Sequence, residues 1–147
     1  IFDKYFPKES HHPVLRLRKN GTSFELTKKE PINNDPSHQE EQTIVLSEKE
    51  FLALRLVPGR EVRKMRYYYP YNNLILEFDI FQDALQGLVL VDVEFTTKRE
   101  KDSFVMPDFC LAEVTKEVFI AGGMLCGKSF SDIEQQLATF KYKKLFL

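Results

Sequence analysis

No stretch of this chain stays apolar for the roughly 18 residues that a membrane-spanning helix needs, and no signal peptide is visible. Cysteine is scarce. Cys110 and Cys126 lack metal-finger spacing and read as free thiols, in keeping with a reducing cytosol, so the expected location is cytoplasmic. A net excess of either charge is lacking too. The formal net charge is −1, which gives no overall basicity to suggest nucleic acid and no bias toward a membrane surface, so any polyanion site must be local. The three histidines make no site, because His11 and His12 are adjacent in a polar turn before Pro13 and His38 falls in a long hairpin. No Ser, His and acid arrangement and no reactive-cysteine context stands out.

What is present suits one globular domain over residues 1–147, since 43% hydrophobic content with 13 Phe allows a real core. Strands dominate. Segments 1–6, 13–19 and 23–29 read as strands, with Asn20-Gly21 turning the second into the third. Glu30 to Ser37, rich in Pro and Asn, reads as a polar hairpin loop, followed by a strand over 39–45. Ser47 and Glu50 form a capping-box pattern that opens a short helix to about Leu56, and Pro58-Gly59 ends it. Strands at 61–68, 74–81 and 87–95 follow, with Pro70 and Asn72-Asn73 as the turn between the first two. Thr97 to Phe104 reads as a short charged helix, and Ser131 with Glu134 as the cap of a last helix reaching Phe140. The expected class is therefore mainly β (α+β), a closed or nearly closed antiparallel β-barrel with short flanking helices.

Charge recurs at every second position within these strands. Arg16 and Arg18 in VLRLRK, Lys29 in FELTKK and Lys64 and Arg66 in VRKMRY are basic; Glu77 and Asp79 in LILEFDIF and Asp92 and Glu94 in LVLVDVEF are acidic. Strand side chains alternate between faces, so each pair shares a face while Leu15 and Leu17, Phe78 and Ile80, or Val91 and Val93 take the other. A solvated outer face would also be charged. Two details point elsewhere. The signs are segregated by strand, whereas like-charged neighbours repel, and the acidic strands are otherwise strongly apolar, as enclosed strands are. Such a face suits a polyanion held together with a divalent metal.

The segment Gly122-Gly123-Met124-Leu125-Cys126-Gly127-Lys128-Ser129 matches the phosphate-loop pattern GxxxxGKS. A functional loop of that kind follows the first strand of a parallel sheet, and the 18 residues after Ser129 cannot build one, so the match reads as accidental or as a lid. Tyr67, Tyr68, Tyr69 and Tyr71 could stack on bases, but strand packing is the simpler reading.

The ordered run RLRK, FELTKK, VRKMRYYY, LEFDIF, GLVLVDVEF and MPDFCLAEVT resembles the CYTH domain family, the triphosphate tunnel metalloenzymes, from about Tyr5 to Cys126. The resemblance implies a tunnel-like antiparallel barrel that binds a triphosphate and Mg2+ or Mn2+. It makes Arg16, Arg18, Lys29, Lys64 and Arg66 the substrate-binding cations. Glu94, Asp92, Glu77, Asp79 and Glu41 become the metal side, with Glu94, Lys64 and Arg66 as the catalytic set. Glu113 matches a further family position without a definite role. The implied activity is metal-dependent hydrolysis of inorganic tripolyphosphate. A class IV type adenylate cyclase, a nucleoside or thiamine triphosphatase, or a non-catalytic polyphosphate-binding module are the alternatives, with neither nucleic acid nor membrane as partner. Three departures accompany the resemblance. The family's N-terminal ExExK strand is absent, which is expected to reflect loss upstream and would leave the chain catalytically incomplete. Glu40 and Glu41 are adjacent, so only one faces inward. The chain has no Trp, and Phe109 stands where relatives often carry one.

Overall fold

The computed structural model describes residues 1–11, 13–32 and 35–146, and for 30–32 and 35–39 it describes the backbone alone. The turn read at His12, the loop residues Asn33 and Asn34, and the side chain of His38 lie outside the described residues. The elements in chain order are β1 (Phe2–Phe6), β2 (Leu15–Asn20), β3 (Ser23–Ile32), β4 (Asp35–Val45), α1 (Glu48–Arg55), β5 (Arg60–Tyr71), β6 (Leu74–Phe81), β7 (Val89–Val93), α2 (Lys98–Ser103), α3 (Gly122–Leu125) and α4 (Phe130–Thr139). Among the described residues no helix is long and apolar enough to cross a membrane.

Every ladder is antiparallel, and the strands hydrogen-bond in the order β4-β3-β2-β1-β5-β6-β7. Among the described residues the sheet is not closed by hydrogen bonds, so a closed barrel is not what the ladders show. The long hairpin also differs from expectation. The segment read as a loop from Glu30 to Ser37 continues the ladder, with Pro31 opposite Gln39 and Ile32 opposite Asp35 across a register shift. Proline cannot donate to a ladder, but Pro31 lies past Lys28, the last residue of β3 laddered to β2, and beside a bulge, which accommodates it. Pro70 likewise sits inside β5, opposite Ile75, so that strand runs beyond the expected 68. Asn72 and Asn73 both adopt left-handed backbone (φ 46° and 64°), which fits a two-residue hairpin turn. The strand read over 87–95 is shorter, and Glu94 lies one residue beyond β7.

The chain forms two compact units, Ile1–Arg63 with Ile120–Gly127, and Lys64–Phe119 with Lys128–Leu147. In the first, period-two alternation turns Phe2, Phe6, Leu15, Leu17, Phe24 and Leu26 to one face, where they pack with Phe51 and Leu54 of α1. The Phe24 and Phe51 rings lie 4.9 Å apart. The expected cap holds α1: Ser47 Oγ accepts from the Glu50 N–H at 3.3 Å, and Glu50 Oε2 accepts from the Ser47 N–H at 2.7 Å. At the other end, buried Lys4 donates Nζ to the Arg55 carbonyl at 2.7 Å, satisfying an orphan acceptor of the helix.

In the second unit, α4 buries Phe130, Ile133 and Leu137. Its cap is Ser129 rather than Ser131. Asp132 Oδ2 accepts from the Ser129 N–H at 2.7 Å, so the helix starts two residues earlier than the Ser131 and Glu134 spacing indicated. The C-terminal segment then ties back to the start of β7, where the Tyr142 hydroxyl accepts from the Val89 N–H at 2.8 Å and donates to the Gly87 carbonyl at 2.9 Å. Gly87 must be glycine here, because its φ is 100° and a Cβ would stand 2.1 Å from Lys144 Cγ.

Candidate functional site

Each unit turns one face of its strands into a network of charge. In the first unit, register sets Asp3 opposite Arg18 opposite Glu25, and Tyr5 opposite Arg16 opposite Thr27 opposite Thr43. These residues share the face away from the Phe51 core. Arg18 is clamped edge-on by Asp3, with Nε to Oδ1 at 2.6 Å and Nη2 to Oδ2 at 2.7 Å, and Asp3 is only 3% exposed. Arg16 is less well satisfied. Its Nη2 reaches Glu25 at 3.4 Å, while its buried Nε has no hydrogen-bond partner among the described residues. Thr27 is fully buried and shares a hydroxyl hydrogen bond with Thr43 at 3.1 Å. Burial and then the Asp3 charge push the Tyr5 hydroxyl up to about 12, although Arg16 and Arg18 pull the other way.

Lys29 stands opposite Glu41 and pairs with it at 2.8 Å, both side chains being 44% exposed. The hydrogen bond from Lys29 holds the Glu41 carboxyl below its ordinary range. Glu41, rather than Glu40, therefore shares a face with Thr43 and Lys29.

In the second unit, Arg66 stands directly opposite Asp79, and Glu77 opposite Asp92. Arg66 clamps Asp79 edge-on, with Nε to Oδ1 and Nη2 to Oδ2 both at 2.6 Å. It also donates Nη1 to Glu77, and its Nη2 lies 3.2 Å from Asp92 Oδ2. Lys64 donates to the second oxygen of Asp79. Asp79 is 1% exposed. Burial alone would raise its pKa, but the hydrogen bonds and charges of Arg66 and Lys64 outweigh it and hold the carboxyl below its ordinary range. Asp92 is open to solvent on one side and still moves up, through desolvation and then the Asp79 charge. The Arg66 guanidinium is held more firmly charged by its hydrogen bond to Asp79.

The structure thus brings Lys64, Arg66, Glu77, Asp79 and Asp92 into one cluster, and Arg16 and Arg18 into another with Asp3 and Glu25. Glu94 is exposed and pairs with no cation among the described residues. No three His, Cys, Asp or Glu side chains converge as a ready metal cage among the described residues. That does not disqualify a divalent metal. Mg2+ keeps several waters and takes one or two carboxylates plus substrate phosphate oxygens, for which Asp92 and Glu94, the least committed to cations, are the fitting donors.

Asp3, Tyr5, Glu25 and Thr27 were not singled out from sequence. Asp3 and Tyr5 alternate with Phe2, Lys4 and Phe6, so the signal was there, but nothing in the sequence says which strand they face. The GxxxxGKS segment forms no phosphate cradle: Gly122–Leu125 is helical, Gly127 turns at φ 77°, and Ser129 caps α4. Cys126 within it is an inert thiol, donating to the Arg60 carbonyl at 2.6 Å and raised by burial to about 12.

No family model matches the chain. It is 31% identical over 105 residues, covering 70% of this chain and 68% of the relative, to a protein of Nitrosomonas europaea named inorganic triphosphatase. Two solved structures are similar, one described as the hypothetical protein NE1496 and the other as the inorganic triphosphatase NE1496. The first has a TM-score of 0.64 at 27% identity, covering 87% of this chain and 84% of that one. The second has a TM-score of 0.62 at 26% identity, covering 86% and 84%.

Proposed function

The chain belongs to the inorganic triphosphatase family, and from that premise we propose that it hydrolyses inorganic tripolyphosphate with the help of Mg2+ or Mn2+, as a triphosphate tunnel metalloenzyme of the CYTH type. The likeness to the Nitrosomonas triphosphatase carries this reading, and the two charged faces support it. Enclosure of the substrate in a tunnel-like barrel, and a cytoplasmic location, belong to the same proposal.

In this reading Arg16, Arg18, Lys29, Lys64 and Arg66 hold the phosphoryl oxygens. Guanidinium forks match pairs of phosphate oxygens, and the ammonium groups act as point charges. Arg16 suits this role best, since a phosphate oxygen would satisfy the Nε that burial leaves unpartnered. Asp92 and Glu94 would hold the metal, with Glu77 and Glu41 beside the cations they pair with. When bound, the divalent ion would neutralise phosphoryl oxygens and lower the pKa of a coordinated water. Water adds to the terminal phosphorus as the bridging P–O bond breaks, and pyrophosphate leaves. The protein contributes alignment and fixed positive charge to that step rather than covalent chemistry.

The test is phosphate release from tripolyphosphate, ATP and thiamine triphosphate by the full-length protein, with Mg2+, with Mn2+ and with chelator. Tripolyphosphate should be preferred, and chelator should abolish release. Glu94→Gln should lose most metal-dependent turnover while still binding tripolyphosphate, because it keeps shape but weakens a hard oxygen ligand. Full turnover by that variant would remove Glu94 from the metal side. Binding without hydrolysis by the wild type would make the protein a polyphosphate-binding module instead.

A further inference from the structure

The same fork is built twice. Arg18 turns its Nε and Nη2 edge onto Asp3 at 2.6 and 2.7 Å, and Arg66 turns the same edge onto Asp79 at 2.6 Å for both bonds. In each case the two residues are direct partners on neighbouring antiparallel strands. In each case the aspartate is nearly sealed, 3% exposed for Asp3 and 1% for Asp79, while the arginine keeps some access, with side chains 17% and 15% exposed.

We propose that Asp3 and Asp79 are positioning residues that set Arg18 and Arg66 for phosphate, and that Asp79 is not a metal ligand. The inference rests on the triphosphatase reading. A guanidinium has five N–H donors in a rigid plane, so fixing one edge fixes the direction of the others. Asp3 takes two donors of Arg18 and leaves the far edge for phosphoryl oxygens. Asp79 fixes the same edge of Arg66, whose outer donors meet Glu77 and Asp92, two more accessible carboxylates that a phosphate would displace. Both oxygens of Asp79 are already taken by Arg66, and Lys64 shares the second. A metal there would have to displace buried charge-assisted hydrogen bonds, whereas Asp92 would give up only an exposed 3.2 Å contact with Arg66, and Glu94 pairs with no cation among the described residues.

Holding an arginine that binds substrate and transition state alike affects KM, whereas a metal ligand affects the metal response and kcat. Asp3→Asn and Asp79→Asn in the full-length protein should each raise the KM for tripolyphosphate about tenfold, with kcat changing less than about threefold. Tripolyphosphate binding measured by calorimetry without metal should weaken in parallel. The Mn2+ concentration for half-activation, and Mn2+ binding followed by electron paramagnetic resonance, should stay at wild-type values in Asp79→Asn. In an Arg18→Gln background, Asp3→Asn should add less than about twofold to KM, and likewise Asp79→Asn in Arg66→Gln, because a residue acting through another has nothing left to act on.

A metal response in Asp79→Asn that shifts as far as KM would overturn the assignment for Asp79. Equal KM effects with and without the arginine partner would overturn it for either aspartate, since general structural damage would persist in both backgrounds. Should an Asn variant not fold, Asp→Glu at the same site keeps the charge but moves the fork by one methylene. A raised KM with wild-type metal response then supports the inference, and an unchanged KM overturns it. A wild type that neither bound nor hydrolysed tripolyphosphate would overturn the functional reading and this inference with it. A working wild type beside unaffected variants would overturn this inference alone.

Discussion

Replacing Asp79 by asparagine should also destabilise the second unit, and the structure sets the scale. The carboxylate is 1% exposed and accepts from Lys64 Nζ, Arg66 Nε and Arg66 Nη2, and those two cations are themselves largely covered, with side chains 13% and 15% exposed. Removing one partner of a buried ion pair typically costs about 3–5 kcal/mol, because the other charge stays behind without compensation. Glu77 and Asp92 still contact Arg66, so the loss belongs at the low end, about 3 kcal/mol. For a chain of this size each kcal/mol moves Tm by about 2–4 °C, which gives a fall of roughly 6–12 °C. The chain has no Trp, and five of its six tyrosines (Tyr67, Tyr68, Tyr69, Tyr71 and Tyr142) lie in the second unit, so tyrosine fluorescence in a urea titration reports mainly on that unit. The midpoint should fall with the slope unchanged. A loss below about 1 kcal/mol, the range of exposed ion pairs, would refute the reasoning, since burial would then have added nothing to the network.

The same carboxyl predicts an acid limb. Its folded pKa lies below the ordinary value, so on acidification the unfolded chain takes up the proton first, near pH 4, and stability is lost as pH falls from there through the folded pKa; urea midpoints below about pH 4 should drop more steeply for wild type than for Asp79→Asn. Lys128→Ala should leave tripolyphosphate hydrolysis within about twofold of wild type, since the segment around it caps a helix and cradles no phosphate, and a loss as large as that of Arg66→Ala would restore the phosphate-loop reading. Phe51→Ala, which empties the centre of the first unit's core at a residue 3% exposed, should cost about 3–5 kcal/mol in chemical denaturation.

Much of the fold could be read where local chemistry dictates it. The strand at 74–81 came out with its expected bounds, and the Ser47–Glu50 box opened α1 where its spacing placed it, because both signals act within a few residues. The β3–β4 hairpin was misread for the converse reason: Pro31 and the Asn residues are turn formers locally, yet the ladder continues past Pro31 through a bulge that only the partner strand reveals. The site divides the same way. Periodicity told which charges share a face, but not which residue stands opposite. For β2 and β3 the two-residue loop at Gly21 fixes register, so Arg18 opposite Glu25 was within reach of the sequence. Between β1 and β2 lie residues 7–14, too long a connection to fix register, and Asp3 could not be matched to Arg18 without coordinates.

Segregation of charge sign by strand, which argued from sequence against a merely solvated face, takes on a different meaning once the strands are ordered. The basic strand β5 is laddered directly to the acidic strand β6, so opposite signs meet across the pair at Arg66 and Asp79. Such pairing would occur on an ordinary wet surface as well. Burial is what supports the proposed substrate-binding reading instead. Asp3, Thr27 and Asp79 are 3%, 0% and 1% exposed, and taking a charge out of water costs several kcal/mol per ion, which only well-formed pairing offsets. A face that only met solvent would gain nothing from that expense. A face that must hold arginines in fixed directions does gain, because a clamped guanidinium loses little further entropy when an anion arrives. The buried Nε of Arg16, still without a partner among the described residues, is where such an anion has most to offer.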